Sequence, residues 1–183
     1  MNSSFRIRPA RTADVPAIKA LVAPLADNRV LMAKETVAYY EGLQEFRIAE
    51  DDDGVLGCGA LHVMWEDLAE IRTLATSRAA QGRGVGTALV EWLLADALDL
   101  GVERVFCLTF EVKFFQRQGF QVMADQSAVD PTVYSELLRS HDEGVAEFLD
   151  LARVKPNTLG NTRMIRQLGN QPAAKVASRP VDR

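Results

Sequence analysis

Residues 81–101 read Gln81-Gly82-Arg83-Gly84-Val85-Gly86-Thr87 and then ALVEWLLADALDLG. Glycines at alternate positions let successive backbone N–H groups turn towards one point without a Cβ in the way. The segment 87–101 repeats apolar residues at helical spacing and ends on Gly101, which predicts an amphipathic helix. Its positive end adds to the N–H groups of the loop, and together they form a cradle for a pyrophosphate. Taken alone, the loop fits a flexible glycine turn equally well. Two nucleotide readings fit poorly. A P-loop ends in Gly-Lys-Ser/Thr, whereas Gly86-Thr87 has no lysine between its residues. A dinucleotide fold carries GxGxxG after the first strand of a parallel sheet, whereas the spacing here is GxGxG.

Working outward, the segments before the loop read as strands in meander order. EFRIAE (45–50) alternates, DDDG turns, and VLGCGALHVMW (55–65) runs on as a strand, with Asp53-Gly54 as the hairpin signal. LAEIRTLAT (68–76) follows Trp65-Glu66-Asp67. Further upstream, FRIRP (5–9) predicts a short strand and Thr12 a cap for a helix with Val15, Ile18, Leu21, Val22 and Leu25 on one face. A second helix is expected near 33–43. After the loop, RVFCLTF (104–110) is a continuous apolar strand, so the loop and its helix sit in a βαβ unit. A short helix (111–118), a strand from Gly119-Phe120, helices from Asp130-Pro131 to about 139 and over 143–152, and a last strand over 162–168 complete the reading.

Length and composition narrow the class. The chain has 183 residues, room for one domain with its own core. Lys+Arg is 21 and Asp+Glu 25, a net charge of −4, which argues against a nucleic-acid partner. No apolar run reaches the roughly 20 residues of a membrane helix. The opening MNSSFRIRP carries no apolar leader, so a cytoplasmic protein is expected. The last fifteen residues carry a net +2 and two prolines, and 169–183 reads as a disordered tail behind a domain over 1–168. Cys58 and Cys107 lie inside apolar runs and read as buried thiols. With only His62 and His141 beside them, no zinc site of usual spacing can be drawn, and no metal is expected.

The loop Gln81–Gly86 matches the Q/R-x-x-G-x-G/A signature of the GNAT acetyltransferase family. The order around it agrees: meander, loop, long helix, parallel strand, and an aromatic helix ending FFQRQGF. The chain resembles that family over about 5–123. The resemblance implies an α/β (α+β) fold, a mixed and mostly antiparallel sheet splayed between its fourth (69–76) and fifth (104–110) strands, with helices on both faces. It implies acetyl-CoA as donor, held by Gln81, Gly82, Arg83, Gly84, Val85, Gly86 and Thr87, with the pantetheine arm along Leu74, Ala75 and Thr76 and near Phe114 and Phe115. EIRTLATS, RVFCLTFEVKFFQRQGF and VKPNTLGNTRMIRQL resemble more closely the acetyltransferase domain of N-acetylglutamate synthases, in a short stand-alone form. A homodimer is left open.

Acetyl transfer to an amino acid's amine needs a base, because that amine is mostly protonated at pH 7. Glu70 opens the fourth strand, and the resemblance makes it the base, acting through water. A solvated glutamate at a strand end is the plainer alternative. A strand N–H, most simply that of Leu74, stabilises the oxyanion. The tyrosine acid of many relatives is replaced by Phe115, and no acid is assigned. For the acceptor, Lys34, Arg72, Lys113, Asn161, Thr162 and Arg163 supply cations and donors suited to a carboxylate. The expected acceptor is the α-amine of L-glutamate, as in the first step of arginine synthesis. L-Glutamine or another small amine, and a non-catalytic acetyl-CoA sensor, stand as alternatives.

Overall fold

The computed structural model describes residues 4–28, 30–31, 34–123, 130–149 and 160–169. In these residues seven strands form one sheet: β1 (Arg6–Pro9), β2 (Phe46–Asp51), β3 (Gly54–Trp65), β4 (Leu68–Thr76), β5 (Arg104–Thr109), β6 (Gln121–Val122) and β7 (Thr162–Gln167). Their order across the sheet is β1-β2-β3-β4-β5-β7-β6. Every neighbouring pair is antiparallel except β4 and β5. Among the described residues six α-helices flank the sheet: α1 (Val15–Asp27), α2 (Thr36–Glu41), α3 (Val85–Asp99), α4 (Val112–Arg117), α5 (Pro131–Leu137) and α6 (Glu143–Phe148). Among the described residues no helix is long and apolar enough to cross a membrane.

Strand alternation decides which helix covers which face. Val15, Ile18 and Val22 of α1 pack on Ile48, Cys58, Ala60 and Ala75. Further along that face Leu68 and Phe106 meet Leu137, Val145 and Phe148 of α5 and α6. On the opposite face Ala69, Ile71, Val105 and Cys107 meet Val90, Leu93, Leu94 and Ala97 of α3, with Phe115 from α4. The two cysteines therefore lie in different clusters, both buried. Burial pushes the Cys58 thiol up to about 12 and the Cys107 thiol up as well.

Several boundaries differ from the sequence reading for local reasons. Thr12 does not cap α1. Thr12–Asp14 is a 3₁₀ turn, and the Asp14 carboxylate accepts the Arg11 N–H at 2.7 Å and the Arg8 guanidinium at 2.7 and 2.8 Å. The helix expected near 33–43 shortens to α2, and α3 begins two residues earlier than expected, at Val85. The cap at Asp130 is as expected, its side chain accepting the Thr132 N–H at 2.8 Å. Of the expected tail only Gly169 is described, and residues 150–152 of the expected helix over 143–152 likewise lie outside the described residues.

Candidate active site

The parallel seam between β4 and β5 is short. It pairs Leu68 with Arg104, Ala69 with Val105 and Glu70 with Phe106. Beyond Glu70 both strands continue without pairing each other, so the sheet opens at that point. On its other side β4 bulges: the register passes from Cys58↔Ala75 to Ala60↔Arg72, setting Thr73 and Leu74 against Gly59 alone. Thr73 has φ +56, a conformation unfavourable for a β-branched residue, and is held there while buried. A Cβ on Gly59 would lie 3.1 Å from Leu74 Cδ1 and 3.0 Å from Leu93 Cδ1, so a side chain opposite the bulge would press on both leucines.

The glycine loop lies beyond the end of β4. Gly82 and Gly84 have φ +72 and +76, and a Cβ added at either would meet nothing within 4 Å. These glycines serve the backbone's path and leave the space in front of the loop clear. The first bond of α3 runs from the Ala88 N–H to Gly84 O at 3.0 Å. The N–H groups of Val85, Gly86 and Thr87 precede it and have no intrahelical acceptor. At the positive end of a fifteen-residue helix, they fit the pyrophosphate of a coenzyme A. Phe114 closes the side of this cradle, its ring 3.6 Å from the position of a Cβ on Gly86.

Three expected cofactor residues take other parts with their side chains. Arg83 reaches back to Asp51 at 2.8 Å, bracing the loop on the β2–β3 hairpin. The Thr87 hydroxyl accepts from Gln118 Nε2 at 3.3 Å. Phe115 is a core residue, edge-on to Phe114 and Phe120. Its neighbour Phe114, about 100° round the helix, is the one on the cradle.

On the other side of the opening lies a cavity of about 640 Å³ whose walls include Lys34, Glu45, Glu70, Arg72, Asp142 and Asn161. Glu70 is 6% exposed, and among the described residues its Oε2 accepts no hydrogen bond. The nearest cation is Arg72, with Nη1 at 3.9 Å. Burial pushes the Glu70 carboxyl up to about 7; Asp142 adds to this, while Arg72, His62 and Lys34 pull against it.

Arg72 is shared among carboxylates, its guanidinium 3.0 Å from Glu45 Oε2 and 2.9 Å from Asp142 Oδ2. Glu45 also holds His62 Nδ1 at 2.7 Å. Burial raises the Glu45 and Asp142 carboxyls, but hydrogen bonds and charge from His62 and Arg72 outweigh it and hold both below the ordinary range. Burial, and then the charge of Arg72, lowers the Lys34 ammonium.

Of the expected acceptor residues, the structure brings Lys34, Arg72 and Asn161 to one cavity, together with Glu70, the expected base. Arg163 lies on β7 opposite Leu108, a cavity residue, and so on the same sheet face; Thr162 pairs with Thr109. Lys113 is exposed on α4, whose Phe115 packs on the other face. Sequence reasoning misses Glu45 and Asp142, and reads His62 as a structural or pocket-lining residue without giving it partners. Glu45 comes from a 3₁₀ turn, His62 is the strand residue opposite Glu70, and Asp142 comes from the link before α6. The signal for His62 is its place in an alternating strand; that it pairs with Glu70 is a matter of register.

Comparison with known proteins agrees with this geometry. The profile of the acetyltransferase (GNAT) family matches residues 24–120. The chain is 53% identical over 162 residues to an amino-acid acetyltransferase of Mycobacterium tuberculosis, covering 87% of this chain and 92% of that one. A crystal structure from Mycobacterium tuberculosis, in complex with CoA and NLQ, superposes with TM-score 0.83 at 52% identity over 88% of this chain and 98% of that one. N-acetylglutamate synthase of Neisseria gonorrhoeae, complexed with coenzyme A and N-acetyl-glutamate, superposes with TM-score 0.73 at 27% identity. That alignment covers 91% of this chain and only 35% of the synthase. With the profile spanning more than half of its length and one relative matched almost end to end, this chain belongs to the GNAT acetyltransferase family.

Proposed function

We propose that the protein transfers the acetyl group of acetyl-CoA to the α-amine of L-glutamate, the reaction that opens arginine synthesis. The observation that carries this reading is Glu70, a buried carboxyl raised to about 7 at the point where the sheet opens, facing a cavity that also holds Lys34 and Asn161. Bound acetyl-CoA supplies an activated acyl thioester. The protein's part is to hold the coenzyme at the Gln81–Thr87 loop, to receive the acceptor's carboxylate at Lys34 and Asn161, and to accept a proton from its ammonium at Glu70. The likeness to a synthase complexed with N-acetyl-glutamate supports the acceptor.

A second acceptor, L-glutamine, is favoured by one feature. Arg72 is already neutralised by Glu45 and Asp142, and Glu35 and Glu41 stand on the same cavity wall. Such a wall suits an amide side chain better than a second carboxylate. Incubation of the protein with acetyl-CoA and each of the twenty amino acids, with products read by mass spectrometry, tests the proposal. N-acetyl-glutamate is the expected principal product, with N-acetyl-glutamine second. Glu70→Gln lowers kcat at pH 7 by roughly 10²-fold or more and leaves acetyl-CoA affinity in place. Acetylation of a polyamine or aminoglycoside with neither amino acid modified would overturn the assignment.

A further inference from the structure

The described part of the segment that follows α5 is tied down at one residue. The Asp142 main-chain N–H donates to Ser140 Oγ at 3.1 Å, and its carbonyl accepts the Ala146 N–H at 3.2 Å. One of its carboxylate oxygens, Oδ1, accepts the Val145 N–H at 3.1 Å and so caps α6. The other, Oδ2, takes Arg72 of β4 at 2.9 Å and stands 3.5 Å from His62 Nε2. Two residues on, Gly144 lies against the Glu70 carboxylate. A Cβ there would overlap Glu70 Oε2 and come within 3.0 Å of Asp142 Oδ1.

We propose that Asp142 is a positioning residue for Glu70: its ion pair with Arg72 latches the 140–146 segment onto β4, and Gly144 thereby seals the Glu70 carboxylate from water. Arg72 then acts chiefly as the strand's half of the latch, with Glu45 holding its guanidinium from the other side. The inference rests on Glu70 being the base, because only then does its solvation govern turnover. The groups facing Glu70 are Arg72 on its own strand, His62 on β3, Lys34 ahead of α2, Glu45 on the 3₁₀ turn before β2 and Asp142 ahead of α6. The cations pull the carboxyl down and Asp142 pushes it up, so charge alone leaves a mixed result. Exclusion of water is the largest effect, and the latch maintains it.

Carbon-13 titration of the Glu70 side-chain carboxyl, assigned by its loss in Glu70→Gln, tests this in the whole protein. The pH profile of kcat/KM and amide exchange at Val145 and Ala146 are measured beside it. In Asp142→Ala and Gly144→Ala the Glu70 midpoint moves at least about one pH unit towards acid. In Asp142→Ala the two amides also exchange at least about tenfold faster. Gly144→Ala leaves every charge in place, so its shift reports displacement of the segment alone. Where an alanine variant does not fold, Arg72→Lys loosens the latch from the strand side with the charge kept, and the same direction is expected. A midpoint unmoved in the folded variants overturns the latch. A midpoint that moves while the acid limb of kcat/KM stays in place upholds the latch and removes Glu70 as the base.

Discussion

At Glu70 a carboxyl group sits in a place that disfavours its charge, and this has a thermodynamic consequence separate from catalysis. Its folded-state value near 7 exceeds the ordinary 4.5. Below pH 4.5 the group is protonated whether the chain is folded or not, and nothing is lost. Between 4.5 and 7 the unfolded chain releases the proton while the folded chain keeps it, so stability falls as pH rises, by on the order of 3 kcal/mol once pH exceeds 7. Glu70→Gln abolishes this dependence. Urea unfolding of the two proteins should show the variant gaining on the wild type by that amount between pH 4.5 and pH 8. A difference independent of pH would mean that the carboxylate is solvated. Catalysis runs the other way, since the base works only when deprotonated, and kcat/KM should fall as pH drops through about 7. The protein gives up stability at the pH where Glu70 is ready to accept a proton.

The loop Gln81–Gly86 and α3 form the element on which coenzyme binding turns. Gly84 has positive φ, which aspartate tolerates better than most residues, so Gly84→Asp should fold with the free protein's melting temperature lowered by only a few degrees. The new carboxylate would stand before the unpaired N–H groups of Val85, Gly86 and Thr87 and repel a pyrophosphate. Thermal melts with and without saturating acetyl-CoA should show a clear rise for the wild type and none for the variant. An undiminished rise in the variant would place the coenzyme elsewhere. This element was legible in sequence because glycine spacing and helical periodicity are local properties, readable without knowing what lies across the fold. The same holds for β2 to β4, where alternation and the Asp53-Gly54 turn announce a meander. Caps and side-chain partners were less legible. Thr12 reads as the cap of the first helix, but Arg8 on β1 grips Asp14 and the helix starts after that residue.

Over the whole molecule, the sheet consists of two antiparallel halves joined by three residue pairs of a parallel seam. Such a junction depends on what packs across it, and Phe106 meets Phe148 of α6 edge-on there, centroids 5.4 Å apart. Phe148→Ala should cost about 3–5 kcal/mol in chemical denaturation. A loss under 1 kcal/mol would show that α6 is not needed to hold the halves together. The site at this junction was only partly readable beforehand for the same reason. Glu70 and Lys34 could be placed by resemblance, but Glu45, His62 and Asp142 are gathered from three separate elements, and charged residues without periodicity read as solvated surface. Arg72 was read as a free cation because its two carboxylate partners are 27 and 70 residues away in sequence. The burial of both cysteines carries a practical consequence. Thiol reagents attack thiolates, and neither Cys58 nor Cys107 offers one to solvent while the chain is folded. A disulfide dye added to the working enzyme therefore colours only with the sulfhydryl that turnover liberates, and the protein supplies its own dark background.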